Sequence, residues 1–319
     1  MKKQCLFCYK ENKESEDDFH RSCSRKIFGS ARPPIFEYGL DEMNDLAKQV
    51  VERSVTVPGV QAKISLHLNR ERSKPARLTL VGLWGEYILK PPAEKYAELP
   101  ENEILTIHLA EVFSIPVVPH TLIRLKSGEL AYLSRRIDRD KVGKLHMEDM
   151  CQLTERLTED KYKGSMEQVG KAIDKYSSNP LLDMVTFFEI SLFSFLTGNA
   201  DMHLKNFSLI DRRDGLTSLT PAYDLLSTRL VIPEKDDPEE MALMLKGKKR
   251  KFKLDHFIDF GATLGLTRKQ ISNTFDKFKR KIPNALDFID WSFISDNKKE
   301  EYKELLISRA ERLKMKPAY

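Results

Sequence analysis

Cysteine is scarce in these 319 residues: four in all, three of them within the first 23. A secreted fold stapled by disulfides needs a wider distribution, so a reducing, cytoplasmic setting is expected, with export as an effector the alternative. A long apolar run is also missing. Cys5-Leu6-Phe7-Cys8 is too short for a signal core, and the most apolar stretch, Leu181 to Leu196, carries Asp183 and Glu189. That stretch reads as a buried helix rather than a membrane span, and no membrane partner is expected. Neither sign of charge dominates. With 53 basic and 48 acidic side chains, the net +5 permits an acidic partner or nucleic acid without arguing for either. Neither GxGxxG nor the Walker lysine pattern occurs, and no internal repeat is found.

What remains is an ordinary globular composition, 41% hydrophobic and 32% charged, at a length that fits two lobes around a cleft or one large domain. The most informative segment is Gly198-Asn199-Ala200-Asp201-Met202-His203-Leu204-Lys205-Asn206, with Asp224 downstream. Asp201 and Asn206 have the Asp-x4-Asn spacing of a phosphotransferase catalytic loop. Phosphoryl transfer needs a carboxylate to receive or orient a hydroxyl proton, and hard oxygen ligands for magnesium. Asp201 suits the first task, Asn206 and Asp224 the second. An ordinary turn with Asp201 as a cap is the bland alternative.

The flanking pattern supports that loop. Asn179-Pro180 opens a helix whose Leu182, Val185, Phe188, Leu192 and Phe195 form an apolar face running into Gly198. Ser208 to Ile210 and Thr217 to Thr220 flank a turn at Arg212-Arg213-Asp214-Gly215 and lead to Asp224. Upstream, Val55 to Leu68, Leu78 to Leu83 and Tyr87 to Lys90 read as strands. A helix capped by Asn102 and ending before Pro116 follows. Thr121 to Leu125 and Leu130 to Ile137 read as a hairpin. Lys90 ends a strand and Glu103 opens the next helix, the pairing that holds a lysine on nucleotide phosphates. Two amphipathic helices are expected around Arg268 to Lys281 and Lys299 to Met315. The basic run Lys246 to Lys251 reads as a solvated turn, with a phosphate-backbone contact as the alternative.

Residues 1 to 35 stand apart as a small segment. Cys5-x2-Cys8 and His20-x2-Cys23 offer four soft ligands at zinc-knuckle spacing; the alternative is three reduced thiols and a surface histidine.

Several motifs together resemble the HipA-type serine/threonine kinase toxins. They are Pro58 to Leu66, Tyr87-Ile88-Leu89-Lys90-Pro91, Arg136-Ile137-Asp138-Arg139, His146 to Gln152, Gly198 to Phe207 and Pro221 to Ser227. The resemblance implies an α+β, two-lobed protein-kinase-like fold, with a β-rich N-lobe over 36–140 and a helical C-lobe over 141–319. It implies ATP and magnesium as cofactors, Asp201 as catalytic base with His203 and Lys205 in its loop, and Asn206 and Asp224 on the metal. ATP would be held by Lys90 with Glu103, by Gly59, Val60, Gln61 and Lys63 in a phosphate-facing loop, and by Arg135 and Ile137 on the adenine side. Ser54 or Thr56 would be the autophosphorylation site. The implied target is an aminoacyl-tRNA synthetase, and the implied partner a helix-turn-helix antitoxin through which DNA is met only indirectly. The chain is similar to the shorter HipT-type kinases, for which a separate small protein supplies the missing N-terminal subdomain. A small-molecule or lipid kinase shares the Asp-x-His-x2-Asn loop. A zinc-bearing nucleic-acid binder is the non-enzymatic reading.

Overall fold

Alternating apolar residues and a Lys126-to-Glu129 turn build the first sheet. A computed structural model describes residues 4–13, 17–43, 45, 63–71, 74–81 and 85–315. It divides into two compact units. The first comprises Met1–Ile104, Val118–Arg139 and Trp291–Phe293; the second comprises Leu105–Val117, Asp140–Asp290 and Ile294–Tyr319.

In the first unit a short helix α1 (Arg21–Phe28) precedes strands β1 (Ile64–Asn69), β2 (Arg77–Leu80) and β3 (Tyr87–Lys90). After helix α2 (Leu99–Val112), which runs on into the second unit, come β4 (His120–Arg124) and β5 (Leu130–Arg135). The five strands pair antiparallel in the order β2-β1-β3-β5-β4. Leu66, Leu68, Leu89, Leu122 and Leu133 alternate toward the buried side, as a half-buried strand requires. The hairpin of β4 and β5 closes in the register Arg124↔Leu130, as its turn sequence suggested.

Several boundaries differ from expectation: β5, for one, ends at Arg135 and not at Ile137. Helix α2 starts at Leu99, not beside Asn102; Pro100 sits in its first turn, where a missing N–H leaves nothing unsatisfied. Asn102 is therefore inside the helix and fully buried, and Glu103 lies in its second turn rather than opening it. Strand β2 ends at Leu80, and residues 82 and 83 of the expected strand lie outside the described ones.

The second unit is mainly helical. It contains β6 (Met147–Asp149), α3 (Met150–Leu153), α4 (Met166–Tyr176), α5 (Pro180–Leu196), β7 (Ser208–Asp211), β8 (Thr217–Leu219), α6 (Leu254–Thr263), α7 (Arg268–Asp290) and α8 (Asp296–Arg312). Strands β6, β7 and β8 form a second antiparallel sheet. Helix α5 is the core: Phe187, Phe188, Phe193 and Phe195 have no exposed surface. Their rings meet Phe207, Phe260, Phe113 and Phe257 at centroid separations of 5.2 to 6.0 Å. Leu181 and Leu182 are each 69% exposed, so the apolar face begins with Met184 and not with Leu182 as expected. Among the described residues no helix is long and apolar enough to cross a membrane. The basic run turns tightly, with Lys246 and Gly247 at φ of 51° and 71° and a bridge between Leu245 and Lys248.

Candidate functional site

The loop after α5 is built by local hydrogen bonds. Gly198 takes a left-handed φ of 71°, and a Cβ there would lie 2.7 Å from Leu305 Cδ2 and 2.9 Å from Arg229 Cβ. Only glycine meets both demands. Thr228 Oγ1 donates to the Gly198 carbonyl and accepts from the Ala200 amide, each at 2.9 Å. The Asp201 amide donates to Asn199 Oδ1 at 3.2 Å. Asn206 Nδ2 donates to the Asp201 carbonyl at 2.9 Å, which closes the five-residue spacing into a ring. This bond turns the opposite end of the amide, the hard oxygen Oδ1, away from the loop backbone. Behind the loop, Arg309 of α8 donates to the Phe195 carbonyl and lies 4.9 Å over that ring. Burial lowers its pKa to about 10, against the pull of Glu240, so it stays charged at neutral pH.

The Asp201 carboxylate accepts a hydrogen bond from Tyr162 at 2.6 Å. Burial first, and the Asp201 charge second, push the Tyr162 phenol well above its ordinary pKa, so it remains a donor. Its ring stands edge-on to His203, with centroids 5.1 Å apart. Burial pushes the His203 pKa down; Asp201 and Asp224 pull it back and Lys161 lowers it further. The net direction leaves a neutral imidazole at pH 7. Lys205 Nζ donates to Asp149 Oδ2 at 2.7 Å, while Asp149 caps α3 in a reciprocal box with Gln152. Tyr223 donates to the Lys205 carbonyl at 3.0 Å, and this fixes the residue before Asp224 to the loop. Asp224 itself has a φ of 57°, a conformation that costs a side-chain-bearing residue roughly 1–2 kcal/mol and is concentrated at functional sites. Asn206 and Asp224 thus offer oxygen donors of the kind magnesium takes.

In the first unit, Lys90 is 5% exposed and donates to Glu103 Oε1, which is 1% exposed. The Lys90 ammonium also lies 5.3 Å over the Tyr132 ring. Lys63, just before β1, is exposed. Gly59, Val60, Gln61, Ser54 and Thr56 lie outside the described residues. Arg135 ends β5 exposed, with its amide on the Pro119 carbonyl, and Ile137 is half-buried. Beside them is a cluster: Arg136 grips Asp138 with two bonds of 2.8 and 2.9 Å, and Arg139 adds a third at 2.7 Å. Cys5, Cys8, His20 and Cys23 are brought together, with their ligand atoms all within 4.8 Å of one another.

Tyr162, Asp149, Tyr223 and Thr228 escaped the sequence reading as site residues. Asp149 and Tyr223 sat within motifs already singled out, whereas Tyr162 is a lone aromatic in a polar, aperiodic stretch and gave no signal.

Residues 55–286 match the family described as HipA-like C-terminal domain. A putative kinase, Y4dM, of Sinorhizobium fredii is 33% identical over 262 residues, covering 77% of this chain and 61% of its own length. The serine/threonine-protein kinase toxin HipA of Shewanella oneidensis is 28% identical over 293 residues, covering 81% of this chain and 64% of its own. The chain therefore spans less than two thirds of the length of either relative. Among solved structures, a Shewanella oneidensis HipA in a complex with HipB and operator DNA superposes with a TM-score of 0.67. It shares 23% identity and covers 94% of this chain and 79% of its own. The α+β kinase-like fold expected from the sequence is borne out by that likeness.

Proposed function

The chain belongs to the HipA-like C-terminal domain family, and from that membership we propose that it is an ATP-dependent serine/threonine protein kinase, the toxin of a toxin–antitoxin pair. The observation that carries this reading is the closed Asp201–Asn206 loop, whose carboxylate already holds a hydroxyl at 2.6 Å. In the proposed reaction the serine or threonine Oγ forms a bond to the γ-phosphorus as the bond to the β,γ-bridging oxygen breaks. The hydroxyl proton passes to Asp201, and ADP leaves. Asn206 and Asp224 would hold magnesium, which when bound neutralises charge on the triphosphate. Lys90, oriented by Glu103, would take the α- and β-phosphates. His203, neutral and packed against Tyr162, and Lys205, tethered to Asp149, would hold the loop in shape. Gly59, Val60, Gln61 and Lys63 are assigned to phosphate contacts, and Arg135 and Ile137 to the base side.

The finer reading follows the shorter, HipT-like kinases. A helix-turn-helix antitoxin is the proposed partner, supported by the HipB complex of the Shewanella protein, with DNA met only through it. A small separate protein is proposed to replace the N-terminal subdomain, and an aminoacyl-tRNA synthetase to be the target. The working division is a 1–35 segment, an N-lobe over 36–140 and a C-lobe over 141–319. Self-modification at Ser54 or Thr56 is proposed to restrain the enzyme, since a phosphate adds about −1.5 to −2 charges near a loop assigned to another phosphate.

The test is transfer from γ-labelled ATP with magnesium to purified synthetases, bulk protein and small alcohols in parallel. Label on synthetase serine or threonine, absent with Asp201→Asn, is expected. Label on small alcohols alone would replace this reading with a small-molecule or lipid kinase.

A further inference from the structure

The segment ahead of the first sheet contains chemistry that phosphoryl transfer does not use. Cys5-Leu6-Phe7-Cys8 forms a tight turn: the Tyr9 amide bonds the Cys5 carbonyl at 2.9 Å, and the Cys5 amide bonds the Lys10 carbonyl at 3.0 Å. Tyr9, directly after the second cysteine, takes a left-handed φ of 63°. A bulky residue accepts that conformation only where its surroundings impose it. The His20 amide reaches the Cys5 sulfur at 3.4 Å.

The second ligand pair comes from α1. His20 is its N-cap residue and Cys23 lies in its first turn, where the helix dipole favours negative charge. His20 Nε2 lies 3.0 Å from the Glu11 carbonyl, an acceptor only, so that nitrogen carries the proton. Nδ1 is then the lone-pair nitrogen, 3.4 Å from Cys8 Sγ and 3.7 Å from Cys23 Sγ. Around a tetrahedral zinc, with sulfur about 2.3 Å and nitrogen about 2.0–2.1 Å from the metal, ligand atoms lie roughly 3.5–3.8 Å apart. The two nitrogen–sulfur separations lie within about 0.2 Å of that spacing, and all four ligand atoms are within 4.8 Å of one another. A backbone carbonyl orienting the far nitrogen of a ligating histidine is the usual support for such a site. None of the four described cysteines is in a disulfide.

We propose that Cys5, Cys8, His20 (through Nδ1) and Cys23 bind one structural zinc ion. Four protein ligands close the coordination shell and leave no position for a substrate, so the ion supports structure and not catalysis. What it supports is visible in the same unit. Strand β4 is an edge of the five-stranded sheet. The Leu6 carbonyl, inside the Cys5–Cys8 turn, accepts from the Leu122 amide and from Thr121 Oγ1, each at 3.3 Å. Asp18 binds Arg124 at 3.1 Å, and Tyr87 donates to the Ile27 carbonyl at 2.9 Å. Zinc thus pins the turn that covers the β4 edge, a surface that otherwise invites pairing with other chains, to α1, which is bonded to the central strand β3.

The test uses the full chain purified without chelator. About one zinc per chain is expected by elemental analysis, lost in Cys8→Ala and in His20→Ala but retained in Cys151→Ala. Because the first two variants can fail to fold, cobalt exchange into the unmutated chain is the second measurement. It should show the intense visible bands of a tetrahedral site together with thiolate charge-transfer absorption. A folded, metal-free chain with all its thiols open to titration overturns the proposal, and so does a cobalt spectrum without thiolate bands. Neither measurement depends on kinase activity.

Discussion

The hydroxyl of Tyr162 donates to Oδ1 of Asp201 at 2.6 Å, in the position that a substrate hydroxyl must take if Asp201 is the base. Substrate and Tyr162 then compete for one oxygen. Tyr162 is 42% exposed, so it can swing into solvent, but leaving the carboxylate has a cost. A hydrogen bond to a charged group contributes about 1.5–3 kcal/mol, less at an exposed site. Tyr162→Phe should therefore raise phosphotransfer, by roughly 3- to 10-fold, mainly through a lower KM for the protein substrate. Steady-state kinetics with a fixed protein acceptor check this; a fall in kcat would make Tyr162 a positioning residue for Asp201 instead.

Asp201→Asn should abolish transfer, by roughly 10²- to 10⁴-fold, while the loop keeps its shape. The loop is closed through the Asp201 backbone carbonyl and not through its side chain. Labelled transfer, read beside thermal unfolding, separates the two effects. Near-normal turnover removes Asp201 from the mechanism.

Lys90 and Glu103 form an ion pair with almost no exposed surface. Removing one partner of such a pair typically costs about 3–5 kcal/mol, because the other charge stays buried. Glu103→Ala should thus lower both unfolding stability and ATP affinity, and Lys90→Met should weaken nucleotide binding most. Denaturant titration and nucleotide-binding calorimetry give the two numbers. Unchanged ATP affinity in Lys90→Met would leave the pair a structural strut.

Asp138 gives a pH signature. Burial raises its pKa, but the Arg136 hydrogen bonds and the charges of Arg136 and Arg139 outweigh burial, and the carboxyl titrates below the usual range. As pH falls through the ordinary carboxylate range, the unfolded chain takes up a proton that the folded chain still refuses. Stability is therefore fully present above that range and declines on acidification. Asp138→Asn should flatten the acid limb of a stability–pH curve measured between pH 6 and roughly 3. An unaltered slope would show that the cluster does not contribute.

Much of this was legible because the signals were local. The Asp201–Asn206 spacing, the β4–β5 turn and the Asn179-Pro180 helix start each depend on residues within a few positions of one another. The unread parts depended on distance. Thr228 reaches back to Gly198 and Ala200, Asp149 to Lys205, and Tyr162 to Asp201; each contact is made by tertiary packing, which periodicity does not encode. Leu181 and Leu182 are apolar yet exposed, since hydrophobicity alone does not say which side of a helix end meets solvent. The α2 start is not legible because Asn102 looks like a cap, whereas the helix has already begun at Leu99 with Pro100 in its first turn.

The anchor that Arg309 provides to the Phe195 carbonyl has a consequence for biosynthesis. The two residues are 114 positions apart, and Leu305, from the same helix, packs against Gly198. A ribosome adding about 5–20 residues per second needs roughly 6 to 23 seconds to cover that distance. For most of this interval the nascent chain has its Asp201–Asn206 segment but not the α8 side chains that seat it. An enzyme of the proposed kind would then remain silent until α8 has been made and has docked.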